Sequence, residues 1–245
     1  MEWFEDWFNT DEYLYVYQHR NETDAGQLAE LILQNTNLPP FSPVLDMACG
    51  AGRHSVIFAK HGCYVTAVDL SRNLLNVAKK AASEAGVKIN FLRSDLRFFS
   101  IDTTFDLIVN LFTSFGYFEQ DEENFKLLIN AYNHLSLSGY FVFDYFNISC
   151  IKKNLIPESV KEIPGGKIIQ QRSISGNRLI KKITIIKNMH EKQYMESVRM
   201  YSCNELKNKM KEIGFDIIKT FGDFNGNTFN EETSPRVIII ARRSG

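Results

Sequence analysis

The sequence is poor in cysteine and has no long apolar stretch, and both absences narrow what the protein can be. Its four cysteines (Cys49, Cys63, Cys150 and Cys203) lie far apart, so neither a disulfide framework nor a metal-ligand cluster is predicted. No apolar run approaches the roughly 20 residues that span a bilayer. The acidic, aromatic N-terminus also lacks the basic-then-apolar order of a secretory signal, so a cytoplasmic protein is expected.

Strands and helices alternate from residue 44 onwards, which is typical of a mostly parallel sheet covered by helices on both faces. Apolar runs predict strands at 44–48, 64–69, 89–93, 105–109, 140–144, 216–222 and 237–242. Helical spacing predicts helices at 53–61, 73–85, 123–135 and 204–213, with one or two more between 11 and 34. The prediction is an α/β protein with a doubly wound, seven-stranded, mostly parallel sheet.

Between residues 148 and 201 the apolar pattern changes from a helical period to a period of two. The alternating segments are 167–175, 178–187 and 193–201, with glycines at the turn positions before and between the first two. This pattern predicts an antiparallel β subdomain inserted into a main domain that comprises residues 1–147 and 202–245.

The formal net charge of −1 argues against a general nucleic-acid-binding protein, but the charge is unevenly distributed. Residues 152–211 carry 14 basic and 5 acidic side chains, whereas the first 151 residues carry 10 basic and 19 acidic ones. The basic side chains, among them Arg172, Arg178 and Arg199, could attract an anionic ligand or RNA. They could also charge solvated strand faces, or pair with the acidic part of a second subunit in a homodimer.

The turn after the first predicted strand has the composition of a ligand-binding turn. Asp46 lies near the end of that strand, and the small residues Ala48, Gly50 and Gly52 follow at alternate positions. Such a turn lets backbone amides approach a ligand beyond the carboxyl ends of the strands. Asp69 ends the second predicted strand 23 residues later, where a carboxylate can accept hydrogen bonds from ribose hydroxyls. A nucleoside-containing ligand is predicted.

Two classes of nucleoside ligand fit this spacing. A dinucleotide site requires a third glycine, but Ser55 stands at that position. The carboxylate of Asp46 would also repel a pyrophosphate nearby, whereas it suits a cationic ligand such as S-adenosylmethionine, which carries an ammonium and a sulfonium.

The segment Asp46–Gly52 resembles the first motif of the class I S-adenosylmethionine-dependent methyltransferases, with Ala48 in place of the usual first glycine. Three further motifs follow in the order of that family, and the resemblance implies a Rossmann-like fold and S-adenosylmethionine as the cofactor. It assigns Asp69 and Leu70 to the ribose and adenine, Asp95 and Leu96 to the adenine, and Asn110 and Leu111, after the strand at 105–109, to the methionyl part.

A finer resemblance links the chain to small-molecule methyltransferases related to amino-sugar N-methyltransferases. It rests on Trp3-Phe4-x-x-Trp7-Phe8 near the N-terminus and on the β insertion that ends at residue 202. In those relatives an N-terminal helix closes over the cofactor and the insertion covers the acceptor. The expected contacts are Tyr17, Arg20 and Arg53 for the cofactor carboxylate, and Phe115, Arg199 and Tyr201 for the acceptor.

Methyl transfer is an in-line displacement, so the protein mainly positions the acceptor and excludes water, without a metal. A general base is needed only for a protonated acceptor, and the candidates are Tyr117, Tyr145 and His190, with Asp144 beside them. No task is predicted for His54. The expected function is methyl transfer to a nitrogen or oxygen of a small molecule. The alternatives are an RNA methyltransferase, which the near-zero net charge disfavours, and a cofactor-binding protein without catalysis.

Overall fold

The computed structural model describes residues 2–17 and 22–244. The helices and strands follow in chain order: α1 (Trp3–Trp7), α2 (Asp11–Val16), α3 (Glu22–Thr36), β1 (Pro43–Met47), α4 (Arg53–Lys60), β2 (Tyr64–Asp69), α5 (Arg72–Glu84), β3 (Ile89–Arg93), β4 (Phe105–Asn110), α6 (Asp121–His134), β5 (Leu135–Phe146), α7 (Ile148–Asn154), β6 (Glu158–Ile163), β7 (Gly166–Ser175), β8 (Arg178–Lys187), β9 (His190–Arg199), α8 (Cys203–Ile213), β10 (Phe215–Phe221) and β11 (Arg236–Arg243).

Seven of the strands form one twisted sheet in the order β10-β11-β5-β4-β1-β2-β3. The pairs among β1 to β5 are parallel, whereas β11 is antiparallel to both β5 and β10. The predicted doubly wound, mostly parallel sheet is confirmed. The chain order reverses between β1 and β4, and in open α/β sheets ligands bind at the carboxyl ends of the strands beside such a point.

The central strands are apolar along most of their length because helices cover both faces of the sheet. Side chains of β1 alternate between the two layers: Leu45 and Met47 pack with α6 and α8, whereas Val44 packs with α3 and α4. All three are fully buried. A charged side chain buried in this strand costs stability unless a partner or a ligand compensates it, and Asp46 is such a residue.

The insertion forms a second, four-stranded antiparallel sheet in the order β6-β7-β8-β9, preceded by α7. Its apolar face, with Ile168 opposite Ile185 in register, packs on Trp7 and Val16 of the N-terminal helices. Of the predicted strands, the one at 193–201 begins earlier in the structure, at His190.

Helix α7 and strand β6 were not predicted from the sequence. In β6 only Ile163 is buried, so this edge strand carries almost no apolar alternation. The one or two helices expected between residues 11 and 34 are α2 and α3, whereas the five-residue α1 before them was not predicted. No helix in the described part of the chain is both long and apolar enough to cross a membrane.

Candidate active site

A cavity of about 300 Å³ opens at the carboxyl ends of β1, β2 and β4. Its floor is the turn after β1, its far wall is the segment after β4, and its cover consists of side chains from α1, α2 and the residue that follows α2. The described residues contain no group of three or more side chains that could hold a metal ion.

The turn after β1 has left-handed backbone at three of its small residues. Ala48, Gly50 and Gly52 have φ angles of 60°, 55° and 78°. Ala48 and Gly50 line the cavity, but Gly52 does not, because it lies behind the turn against α5. A Cβ atom on Gly52 would lie 2.8 Å from the Cβ of Ala78. Gly52 therefore acts by allowing α4 to pack closely on α5, and not by contact with a ligand.

Two buried carboxylates lie on the floor of the cavity. Asp69 accepts hydrogen bonds from the backbone N–H groups of Gly50 and Ser71, both at 2.8 Å, and Asp46 accepts one from the Ser55 hydroxyl at 2.5 Å. Burial raises the pKa of Asp46 to about 6, with a smaller contribution from the charge of Asp69. Burial also raises the pKa of Asp69. Both acids are thus poorly compensated, and a ligand with positive charge or hydroxyl donors would stabilise them.

Asp95 lines the cavity beyond β3 and is held by Arg97. The guanidinium binds both carboxylate oxygens, with its closest contact at 2.6 Å, and also reaches Glu123 at 3.2 Å. Burial acts to raise the pKa of Asp95, but the hydrogen bonds and charge of Arg97 outweigh it, so the pKa is lowered. Leu70 and Leu96 line the cavity on the same side.

At the end of β4, Leu111 reaches the cavity, whereas Asn110 lies just behind it. The amide nitrogen of Asn110 donates to the carbonyls of Met47 at 3.0 Å and Ser114 at 3.3 Å. Its Oδ1 is buried and has no hydrogen-bond partner in the described residues. A buried acceptor without a partner is uncommon in folded proteins, and here it lies between the strands that carry the site.

Aromatic side chains of the N-terminal helices cover the cavity, and the inserted sheet holds them in place. Tyr17 lines the cavity; its hydroxyl donates to Glu196 at 2.6 Å and accepts from the Lys181 ammonium at 2.5 Å. The indole of Trp7 donates to the same carboxylate at 2.7 Å. Arg20, the other predicted contact in this region, lies outside the described residues. The insertion thus supports the cover from behind.

The chain is similar in sequence and in fold to known methyltransferases. A family model described as a methyltransferase domain matches residues 44–139, which include the turn after β1, Asp69, Asp95 and β4. Residues 44–139 form a methyltransferase domain. The chain is also similar to a curated relative from Geobacillus sp. (strain WCH70), named as a methyltransferase without a stated acceptor, with 24% identity over 209 residues, or 82% of this chain and 84% of the relative.

Two further comparisons bear on fold and class. The solved structure of an S-adenosylmethionine-dependent methyltransferase from Clostridium acetobutylicum ATCC 824 has a TM-score of 0.83 and 19% identity, and the match covers 96% of this chain and 99% of that one. A dTDP-3-amino-3,4,6-trideoxy-alpha-D-glucopyranose N,N-dimethyltransferase of Streptomyces venezuelae is 30% identical over 119 residues, about half of each chain. The predicted Rossmann-like methyltransferase fold is confirmed.

The residues of the site fit this cofactor. The ammonium and sulfonium of S-adenosylmethionine suit the under-compensated Asp46, and its ribose hydroxyls suit Asp69. The residue roles remain predictions, but of the described cofactor candidates all except Gly52 and Asn110 line the cavity.

The structure corrects the predicted acceptor contacts of the insertion. Within the described residues, none between 148 and 201 lines the cavity. Arg199 instead pairs with Asp121 at 3.2 Å, and the hydroxyl of Tyr201 donates to the same carboxylate at 2.5 Å. Both side chains therefore join the insertion to α6. Phe115 does line the cavity, although it is largely a core residue.

Two of the three candidate bases lie away from the cavity. Tyr145 is fully buried, its hydroxyl donates to the backbone carbonyl of Arg199, and burial raises its pKa well above the ordinary range. His190 is exposed at the start of β9, opposite Lys187 in the hairpin. Asp144 is buried in an ion pair with Arg236 at 2.8 Å. Tyr117 is the predicted base that the structure brings to the cavity.

One contact that shapes the cavity wall was not predicted, because in the sequence it is a single arginine among many basic residues. Arg178, in β8, donates to the backbone carbonyls of Gly116, Tyr117 and Phe118 at 2.9–3.3 Å. Those three residues line the cavity. The insertion thereby fixes part of the cavity wall as well as its cover, so part of its basic character is structural.

Proposed function

We propose that this methyltransferase transfers the methyl group of S-adenosylmethionine to an amine or hydroxyl of a small molecule. The observation that carries this proposal is the aromatic cover over the buried acids. The ring of Tyr117 lies within 6 Å of the rings of Trp3, Phe4 and Phe8, with centroid distances of 5.2, 5.8 and 5.6 Å. An enclosed aromatic wall suits a compact acceptor and leaves little room for a folded RNA.

The charge of the wall favours an amine over an anion. The carboxylates of Asp46, Asp69 and Asp95 line the cavity with the guanidinium groups of Arg53 and Arg97, and Arg97 is already engaged by Asp95. The basic side chains of the insertion, which could have attracted an anionic acceptor, do not line the cavity in the described residues. Aromatic faces also attract cationic amines. The N,N-dimethyltransferase of Streptomyces venezuelae, which modifies an amino sugar, supports this direction.

When bound, S-adenosylmethionine supplies a methyl group already activated by its sulfonium. The chain needs to hold the two molecules in line and exclude water, and this chemistry requires no metal. Phe4 and Phe8 close the cavity from above, and Tyr117 presents a phenol whose hydrogen is directed at the Thr113 carbonyl at 3.1 Å. Its oxygen can then accept a hydrogen bond from an acceptor N–H or O–H and orient the lone pair that attacks.

The test is a transfer assay with S-adenosylmethionine labelled in the methyl group, a panel of small amines and alcohols, and bulk RNA as a separate substrate. We expect label in one or more amines. Label in RNA, together with an RNA affinity that falls steeply with salt, would instead identify an RNA methyltransferase. Cofactor binding without transfer to any member of the panel would favour a binding protein.

A further inference from the structure

His54 is the second residue of α4 and lines the cavity, yet the site described so far gives it no partner. The side chain is 6% exposed, and its ring lies 5.2 Å from the ring of Phe112. Its Nε2 atom is buried and makes no hydrogen bond to any described residue. A buried imidazole nitrogen without a partner is unfavourable unless a ligand completes it.

The surroundings of His54 indicate what kind of ligand group would form a hydrogen bond with its Nε2. Burial lowers the pKa of His54 to about 3, with a smaller contribution from the charge of Arg53, so the ring is neutral and carries one N–H. Arg53, the preceding residue, also lines the cavity, with its guanidinium 5.0 Å from the Phe112 ring centroid. Both residues lie in the first turn of α4, where the helix terminus favours negative charge.

The cavity brings groups of opposite preference close together at the start of α4. The buried Asp46 accepts a hydrogen bond from Ser55 in the first turn of α4, and the same turn carries Arg53 and the neutral donor of His54, which suit an anion. The amino-acid end of S-adenosylmethionine carries an ammonium and a carboxylate on the same carbon. A carboxylate is the only anionic group in that molecule.

We propose that the Nε2–H group of His54 donates a hydrogen bond to the carboxylate of the cofactor, beside Arg53. This inference rests on the proposed cofactor site, and it makes His54 a binding residue of the reaction. The cofactor would then supply the hydrogen-bond partner that the described residues do not provide for the buried Nε2 of His54. A hydrogen bond to a charged group contributes more than one between neutral groups.

The experiment measures binding by calorimetry for two nucleosides that differ at the amino-acid end. S-adenosylhomocysteine has the carboxylate, whereas 5′-methylthioadenosine lacks the whole amino-acid group. The variants are His54→Leu, which removes the donor, and His54→Gln, whose amide nitrogen reaches a similar position. His61→Leu is the matched control, because His61 is an exposed histidine at the other end of the same helix.

We expect His54→Leu to lower the affinity for S-adenosylhomocysteine by about 10- to 100-fold, while the affinity for 5′-methylthioadenosine changes by less than about threefold. His54→Gln should retain most of the affinity, and His61→Leu should bind both ligands as the wild type does. Equal losses for both ligands, no loss for either, or a glutamine variant as weak as the leucine variant would overturn the inference. A wild-type protein that binds neither ligand would overturn the proposed function as well.

Discussion

Replacement of Asp46 by asparagine should make the protein more stable and less able to bind its cofactor. The pKa of Asp46 is about 6 in the folded protein against an ordinary value of 3.8. Folding therefore opposes ionisation of this carboxyl, and two pKa units correspond to about 3 kcal/mol. This loss is absent below pH 3.8, grows as pH rises, and is complete above about pH 6. Asparagine keeps an acceptor for the Ser55 hydroxyl but carries no charge.

Urea denaturation without cofactor would measure this effect. We expect Asp46→Asn to raise the free energy of unfolding by up to about 3 kcal/mol at pH 8, and by about half as much at pH 5. The variant should also bind S-adenosylmethionine at least about 10-fold more weakly at pH 8, because the ammonium loses its carboxylate partner. A variant that is no more stable than the wild type, or a rise in the free energy of unfolding that does not change with pH, would contradict this reasoning. Asp46 would then not be a buried charge that binds the cofactor and destabilises the fold.

Three further outcomes are expected. Gly52→Ala should lower the free energy of unfolding by about 1–3 kcal/mol in urea melts, because the added Cβ would clash with α5. Gly50→Ala has open space around it and should lower the free energy of unfolding by about 1 kcal/mol or less. Similar losses in the two variants would contradict the packing role of Gly52. Arg178→Met should remove the hydrogen bonds to the carbonyls of residues 116–118 and raise the KM for the acceptor several-fold, whereas the control Arg172→Met should leave this KM unchanged. Equal effects of the two variants would contradict the role of Arg178 in holding the cavity wall. Tyr117→Phe should lower kcat about 10-fold with cofactor affinity unchanged, and an unchanged kcat would leave its hydroxyl without a role.

Much of the fold could be predicted because its signals are local. The strand that contains Asp46, the glycine turn and the strand that ends at Asp69 can each be recognised within ten residues. Burial of parallel strands makes the apolar runs of the two strands nearly continuous. The cofactor side of the site follows from the same local order, since consecutive parallel strands place their carboxyl ends together. The edge strand β6 could not be predicted in this way, because its pattern depends on its neighbour β7 and not on its own residues.

The acceptor side could not be predicted because its contacts join distant parts of the chain. Arg199 and Tyr201 have the chemistry of substrate contacts, but both meet Asp121, about 80 positions earlier. His54 resembled a core histidine in the sequence, and only the geometry shows an unpartnered nitrogen beside a cavity. Residue type alone does not separate a side chain that binds a ligand from one that joins two elements.

A crystal structure of the protein with S-adenosylhomocysteine tests the central claim most directly. We predict the ribose hydroxyls on Asp69, the ammonium on the side of Asp46, and the carboxylate within hydrogen-bond distance of His54 Nε2, with the sulfur facing the aromatic wall that contains Tyr117. A nucleoside bound elsewhere, or in this cavity with the amino-acid end turned away from Asp46 and α4, would contradict the account.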